Sequence, residues 1–244
     1  MAFERINLTD YPHLNIYCLL WLGDFRGRNY TEADVHRLHA LVENHCPYKF
    51  KFHCLTNSMS KSLPGTVIPL KYPDKWPGWW AKIECFNPNL EVTGSLYFDL
   101  DITLVNSIQP LVECGGYYSN LMLFDTKSPG RPQDREKEET EKGLFRRYQA
   151  SVMKWNPRSV VTQEIYKQFV TNSDKIIAKY RSEQDVYGDW YPNLDMFRDK
   201  WMMKLDAAKK TPKKPKDLIV ITGHSEKNDF RETGVPWIDK EMNL

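Results

Sequence analysis

The chain has no apolar run of the roughly 20 residues that a membrane-spanning helix needs, and no such helix is expected from its 244 residues. Its first fifteen residues, MAFERINLTDYPHLN, have no basic-then-apolar leader pattern, so a cytoplasmic protein is expected. The five cysteines form no C-x-x-C pair, and their odd number does not suit a disulfide framework. Reduced thiols are the simpler expectation, with Cys18, Cys54 and Cys85 in apolar runs that suit a core. Charge of one sign is also scarce. A net charge of +2 makes no general case for nucleic acid or membrane as partner, although a local patch can hide in a neutral total. The chain has no internal repeat.

What is present is the alternation of an α/β domain. Asn15 to Leu22, NIYCLLWL, reads as a buried strand followed by a loop, GDFRGRN. Thr31 caps a helix whose apolar residues Val35, Leu38, Leu41 and Val42 keep helical spacing, and Pro47 closes it. Tyr48 to Thr56 and Val67 to Leu70 read as strands, Gly78 to Phe86 as a short helix, and Ser95 to Asp101 as a fourth strand. This order predicts an open, largely parallel sheet that binds its ligand at the carboxyl ends of the strands. Lys127 to Gly143, KSPGRPQDREKEETEKG, reads as a charged surface loop. Val160 to Tyr180 predicts a helix burying Ile165, Phe169 and Ile176, and Leu194 to Ala208 predicts another. Lys209 to Lys216, KKTPKKPK, reads as a basic linker and the best candidate for phosphate contact. Asp217 to Thr222 reads as a last strand, ending on Gly223-His224.

The chemistry centres on Leu96 to Val105, LYFDLDITLV, where two carboxylates one residue apart interrupt an apolar run. Close carboxylates repel unless one protonates or a cation lies between them. Two readings follow. In the first, the segment resembles the opening motif of haloacid-dehalogenase-type phosphatases, with Asp99 as nucleophile and Asp101 as acid. In the second, a D-x-D pair holds Mn²⁺ or Mg²⁺, and the ion grips the diphosphate of a nucleotide-sugar. Three features count against the phosphatase. About a third of the chain precedes the motif, Ile102 stands where that family has Gly, and the late acids Asp189 and Asp195 are poorly spaced.

The second reading accounts for more of the chain. Trp79-Trp80-Ala81-Lys82-Ile83-Glu84 resembles the "WWsKiE" segment of bacterial and phage glycosyltransferases with the GT-A fold, similar in outline to glycogenin and the lipooligosaccharide galactosyltransferases. The resemblance implies one α/β domain over 1–244, a Rossmann-like, mostly parallel open sheet flanked by helices. Residues 1–125 would be the nucleotide-sugar half, 126–145 a charged loop, and 146–244 the acceptor half with the last metal ligand.

It further implies a metal set of Asp99, Asp101 and His224, and donor contacts from Asp24, Tyr30, Lys82, Asp99 and Lys227. Gln184 and Asp185, in SEQDVYGDW, match a "DQD"-like segment beside the transferred sugar, and with Lys82 they are the catalytic candidates. Ser151-Val152-Met153 resembles the "NSGVM" segment of the sugar pocket, with Gln149-Ala150 departing from it. After His224, SEKNDFRETGVPW replaces the usual "G-x-x-K-P-W", leaving Lys227 or Arg231 as the phosphate-gripping cation and Trp237 as a candidate to close the pocket.

By resemblance the donor is a UDP-sugar, the acceptor a glycan or a hydroxymethylated pyrimidine in phage DNA, and the outcome retention. A phage-encoded enzyme would act in the host cytoplasm. A sugar- or nucleotide-binding relic would need a broken metal set, whereas Asp99, Asp101 and His224 are all present.

Overall fold

A computed structural model describes residues 14–24, 30–90, 95–115, 120–125, 148–156, 158–223 and 233–242. Strand β1 (Leu14–Leu20) is buried along its whole length, as expected of an unbroken apolar run inside a sheet covered on both faces. Its side chains alternate. Ile16, Cys18 and Leu20 enter one core with Val35, Leu38, Leu41 and Val42 of helix α1 (Glu32–His45). Tyr17 and Leu19 enter a second core on the other face. Helix α1 starts where the sequence predicted, and the Asp34 carboxylate accepts the Thr31 N–H at 2.8 Å.

Strands β2 (Phe50–Thr56) and β3 (Thr66–Pro69) extend the sheet in parallel on one side of β1, and β4 (Ser95–Phe98) does so on the other. Beyond β4 lie β7 (Tyr148–Trp155), β6 (Leu121–Asp125) and the two-residue β8 (Asp195–Met196). The order is β3-β2-β1-β4-β7-β6-β8, with β7 antiparallel to both of its neighbours. The sheet is therefore mostly parallel, as the strand–helix alternation predicted.

The second core is closed by a 3-10 helix, Gly78–Phe86, and by helix α3 (Val160–Lys179). Side chains three apart eclipse in a 3-10 helix. Trp80, Ile83 and Phe86 thus form one stripe, and all three are buried in this core, where Trp80 lies 5.7 Å from the Phe169 ring. Helix α3 buries Ile165, Phe169 and Ile176, the three positions predicted for it.

A small second sheet, β5-β10-β9, sits at the end of the first, built from β5 (Ile102–Leu104), β9 (Met202–Lys204) and β10 (Val220–Thr222). Residues 194–208 do not form the single helix predicted for them. They run through β8, a 3-10 turn at Asp199–Trp201 and β9 into one helical turn, α5 (Leu205–Ala208). Phe197, Trp201, Leu205 and Ala208 are all buried, so apolar residues at helical spacing are present. Pairing decides otherwise: β8 lies against β6, and β9 lies parallel to β10. The helix α6 (Pro236–Met242) packs Ile238 into a third core with Val105, Leu218 and Ile221. The predicted charged loop, 127–143, falls outside the described residues. Among the described residues, no helix is long and apolar enough to cross a membrane.

One buried cation lies away from the acid pair. Lys154, on β7, donates from Nζ to the carbonyls of Val112 and Cys114, each at 2.6 Å, tying the end of helix α2 (Gln109–Glu113) to the sheet. Burial lowers its pKa to about 8, with Cys114 and Glu113 working in the opposite direction. The native state thus sheds this proton before the unfolded chain does. Between about pH 8 and 10 the unfolded chain binds more protons, so stability should rise with pH, by about 2–3 kcal/mol over that window. Urea unfolding of the wild type and Lys154→Met at pH 7.5 and 10 checks this. A stability difference that stays constant with pH would rule it out.

Candidate active site

Strand β4 ends at Phe98, three residues earlier than predicted. Asp99, Leu100 and Asp101 make the turn by which the chain leaves the large sheet and enters β5 of the small one. This is how two acids come to stand at the end of a buried strand. Asp99 N–H donates to Ser151 O of β7 at 2.8 Å, and Gly223 N–H, just past β10, donates to Asp101 O at 2.8 Å. The two sheets grip the turn from both ends.

Lys82 reaches this turn from the 3-10 helix. Its ammonium lies 2.7 and 2.9 Å from the two Asp99 oxygens and 3.1 Å from Glu183 Oε1. The Tyr97 hydroxyl donates to Asp99 Oδ1 at 2.7 Å. The Lys82 side chain is 6% exposed and that of Glu183 1%, so these charges are held out of water. Burial works against the Lys82 ammonium, but Asp99 and Glu183 outweigh it, and its pKa is raised. Burial also raises the Glu183 carboxyl, with Lys82 opposing. Glu84, two residues along the same helix, has a different role: its carboxylate accepts the Lys71 and Tyr72 N–H groups at 2.7 Å each, anchoring the loop after β3.

Lys82 and Asp99 line an open cleft at the carboxyl ends of β1 and β4. Trp21, Tyr30, Trp79 and Tyr97 supply its walls. Trp79 and Lys82 face the cleft together because they are three apart in the 3-10 helix. Trp21 is held by its indole N–H on Pro73 O at 2.9 Å. Gly23 packs on that indole so closely that a Cβ there would lie 2.2 Å from the ring.

The remaining candidates are distributed as follows. Tyr30 lines the cleft, while Asp24 is exposed at the edge of the loop after β1. Asp101 is buried beside the turn. Gln184 is half-buried in helix α4 (Glu183–Trp190). Asp185 turns to Arg181, accepting from its backbone N–H at 3.2 Å and from Nε at 3.3 Å, at the start of that helix. His224, Lys227 and Arg231 lie outside the described residues. Among the described residues no three His, Cys, Asp or Glu side chains group closely enough to hold a metal ion.

Glu183 is the site residue that sequence reasoning missed. Its segment, SEQD, offers two acids around one glutamine, and nothing in the local pattern says which acid meets Lys82. Two carboxylates share one ammonium, and Asp101 adds a further negative charge on the same turn.

No family model matches the chain, and no curated protein matches it in sequence. Solved structures do match it in shape. The galactosyltransferase LgtC, in complex with donor and acceptor sugar analogs, superposes with a TM-score of 0.64 at 12% identity, covering 94% of each chain. The glycosyltransferase GlyE of Streptococcus pneumoniae gives 0.64 at 13% identity, over 95% of this chain and 60% of that one. Mouse xyloside xylosyltransferase 1 gives 0.52 at 12% identity, over 88% of this chain and 98% of that one. With its mostly parallel sheet and the acid pair at the end of β4, this chain has the GT-A fold of glycosyltransferases.

Proposed function

We propose that the protein is a metal-dependent glycosyltransferase that moves a sugar from a nucleotide-sugar, with UDP as the expected nucleotide, to a hydroxyl acceptor. The observation that carries this reading is the Asp99–Lys82–Glu183 cluster at the floor of an aromatic-walled cleft, built on the D-x-D turn of a GT-A fold. Tyr30 and Trp21 offer flat faces to a base, and Asp24 stands at the edge of the same loop. Lys82 supplies positive charge near the donor and is kept protonated by its two carboxylates. Asp101, Asp99 and His224 would hold Mn²⁺ or Mg²⁺. His224 directly follows Gly223, whose N–H is bonded to Asp101 O. When bound, the ion would neutralise charge building on the departing diphosphate.

Gln184 would lie toward the transferred sugar. Asp185, held by Arg181, would orient the start of helix α4 rather than take a proton itself. Retention is the outcome the resemblance implies, and with no carboxylate assigned as nucleophile, front-face attack assisted by the departing diphosphate is its expected course. The acceptor is a glycan or a hydroxymethylated pyrimidine in DNA. The glycan is favoured by the match to LgtC, which was solved with sugar analogs. The phosphatase alternative loses ground, because the solved structures that match this chain in shape are glycosyltransferases.

Thermal unfolding with Mn²⁺ and a panel of nucleoside diphosphates tests the reading. A ligand at a hundred times its Kd adds about 2.7 kcal/mol, or ~5–10 °C for a chain of this size. A shift with UDP that chelator abolishes is the expected result. No shift with any nucleotide would turn attention to phosphate release.

A further inference from the structure

The turn that carries the two acids is held from a third direction. Arg37, on α1, extends its guanidinium across 63 to 65 residues of sequence. Nη1 donates to Ile102 O at 2.9 Å, and Nη2 donates to Leu100 O. These are the carbonyls on either side of Asp101. The Asp101 carbonyl accepts from Gly223 N–H at 2.8 Å. Asp101 is therefore held at both flanking carbonyls by a planar fork and at its own carbonyl by the end of β10.

We propose that Arg37 is a positioning residue for the D-x-D turn, setting the direction of the Asp101 carboxylate toward the bound metal and diphosphate. The assignment rests on the glycosyltransferase reading. A guanidinium suits the task because its two parallel donors fix a plane, which a lysine ammonium cannot do. The cation also lies near the acids Asp101 and Asp34 and near Tyr30, so it links the turn to the start of α1 and to a wall of the cleft. Asp34 in turn accepts the Thr31 N–H at 2.8 Å. Nothing in the local sequence RLHALV marks Arg37, because a basic residue on an amphipathic helix is ordinarily a solvated one.

The test compares the wild type with Arg37→Lys and Arg37→Met. Free Mn²⁺ is followed by electron paramagnetic resonance during titration in the presence of UDP, alongside donor turnover as a function of Mn²⁺. Arg37→Met is expected to weaken Mn²⁺ binding at least about tenfold, with Arg37→Lys in between, while turnover at saturating Mn²⁺ returns to within about threefold of wild type. Amide exchange at Gly223 should quicken in step. A purely structural role would lower the folded fraction and the maximal rate without moving the Mn²⁺ midpoint, and that outcome would overturn the assignment. If Arg37→Met does not fold, Arg37→Lys decides by the same midpoint. A wild type that binds no Mn²⁺ with UDP would sink the glycosyltransferase reading instead. Unchanged Gly223 exchange in either variant would then sink the clamp as well.

Discussion

Replacing Lys82 with methionine should destabilise the protein by about 3–5 kcal/mol, because it strands the buried Glu183 and the half-buried Asp99 without their shared cation. Asp99 and Glu183 now lie 2.7 and 3.1 Å from the ammonium, and the Glu183 side chain is 1% exposed. Methionine fills the space of the stem and removes only the charge. The loss should depend on pH in a definite sense. Burial already raises the Glu183 carboxyl, and without Lys82 it must rise further. The native variant then holds a proton that the unfolded chain releases. Its stability is retained below the usual carboxylate range and falls as pH rises from there toward the folded-state value.

Lys82→Met/Glu183→Gln should recover at least half of the loss, since glutamine needs no counter-ion. Urea unfolding of both variants at pH 5 and pH 8 makes the measurement. Equal losses at the two pH values, or a double variant no better than the single one, would show that the buried ion pair does not govern stability here.

Asp101→Asn should have the largest effect on activity. Asparagine keeps the size of the side chain and leaves the backbone bonds of the turn in place, so stability should change by less than about 1 kcal/mol. It removes one of the two turn carboxylates. Loss of a metal ligand at a developing diphosphate should cost several kcal/mol of transition-state stabilisation, or about 10³-fold in turnover. The Mn²⁺-dependent thermal shift with UDP should vanish with it. Turnover and the UDP shift are therefore measured side by side on a variant of unchanged stability. If Asp101→Asn keeps its metal-dependent UDP binding within about threefold of wild type, Asp101 is not a metal ligand.

The two variants separate two functions of a single turn. Lys82 joins the acids to the core, and its removal should register as stability. Asp101 is clamped through its backbone carbonyl and its two neighbours', and its removal should register as chemistry. In both cases the side chains belong to elements far apart in sequence, brought together where the large and small sheets meet.

Several features were legible from residues alone. The apolar run of β1 announced a buried strand, and Thr31 announced the start of α1. Both depend on neighbours in sequence, where pattern and physics coincide. The D-x-D pair and Lys82 of WWAKIE were visible as chemistry, because a charged residue inside an apolar run must find a partner. Other features required the assembled fold. The apolar spacing of 194–208 suited a helix, but pairing with β6 and β10 drew the segment into two short strands. The acids looked like the end of one strand, whereas the chain was changing sheets. Of the two acids in SEQD, the fold gave Glu183 to Lys82 and Asp185 to Arg181, and Arg37 carried no local sign of its grip on the turn. The sequence by itself determined which segments must be buried and that two carboxylates had to be compensated. Only the tertiary structure decided which cation compensates which acid, because that choice rests on long-range packing, which a local pattern does not encode.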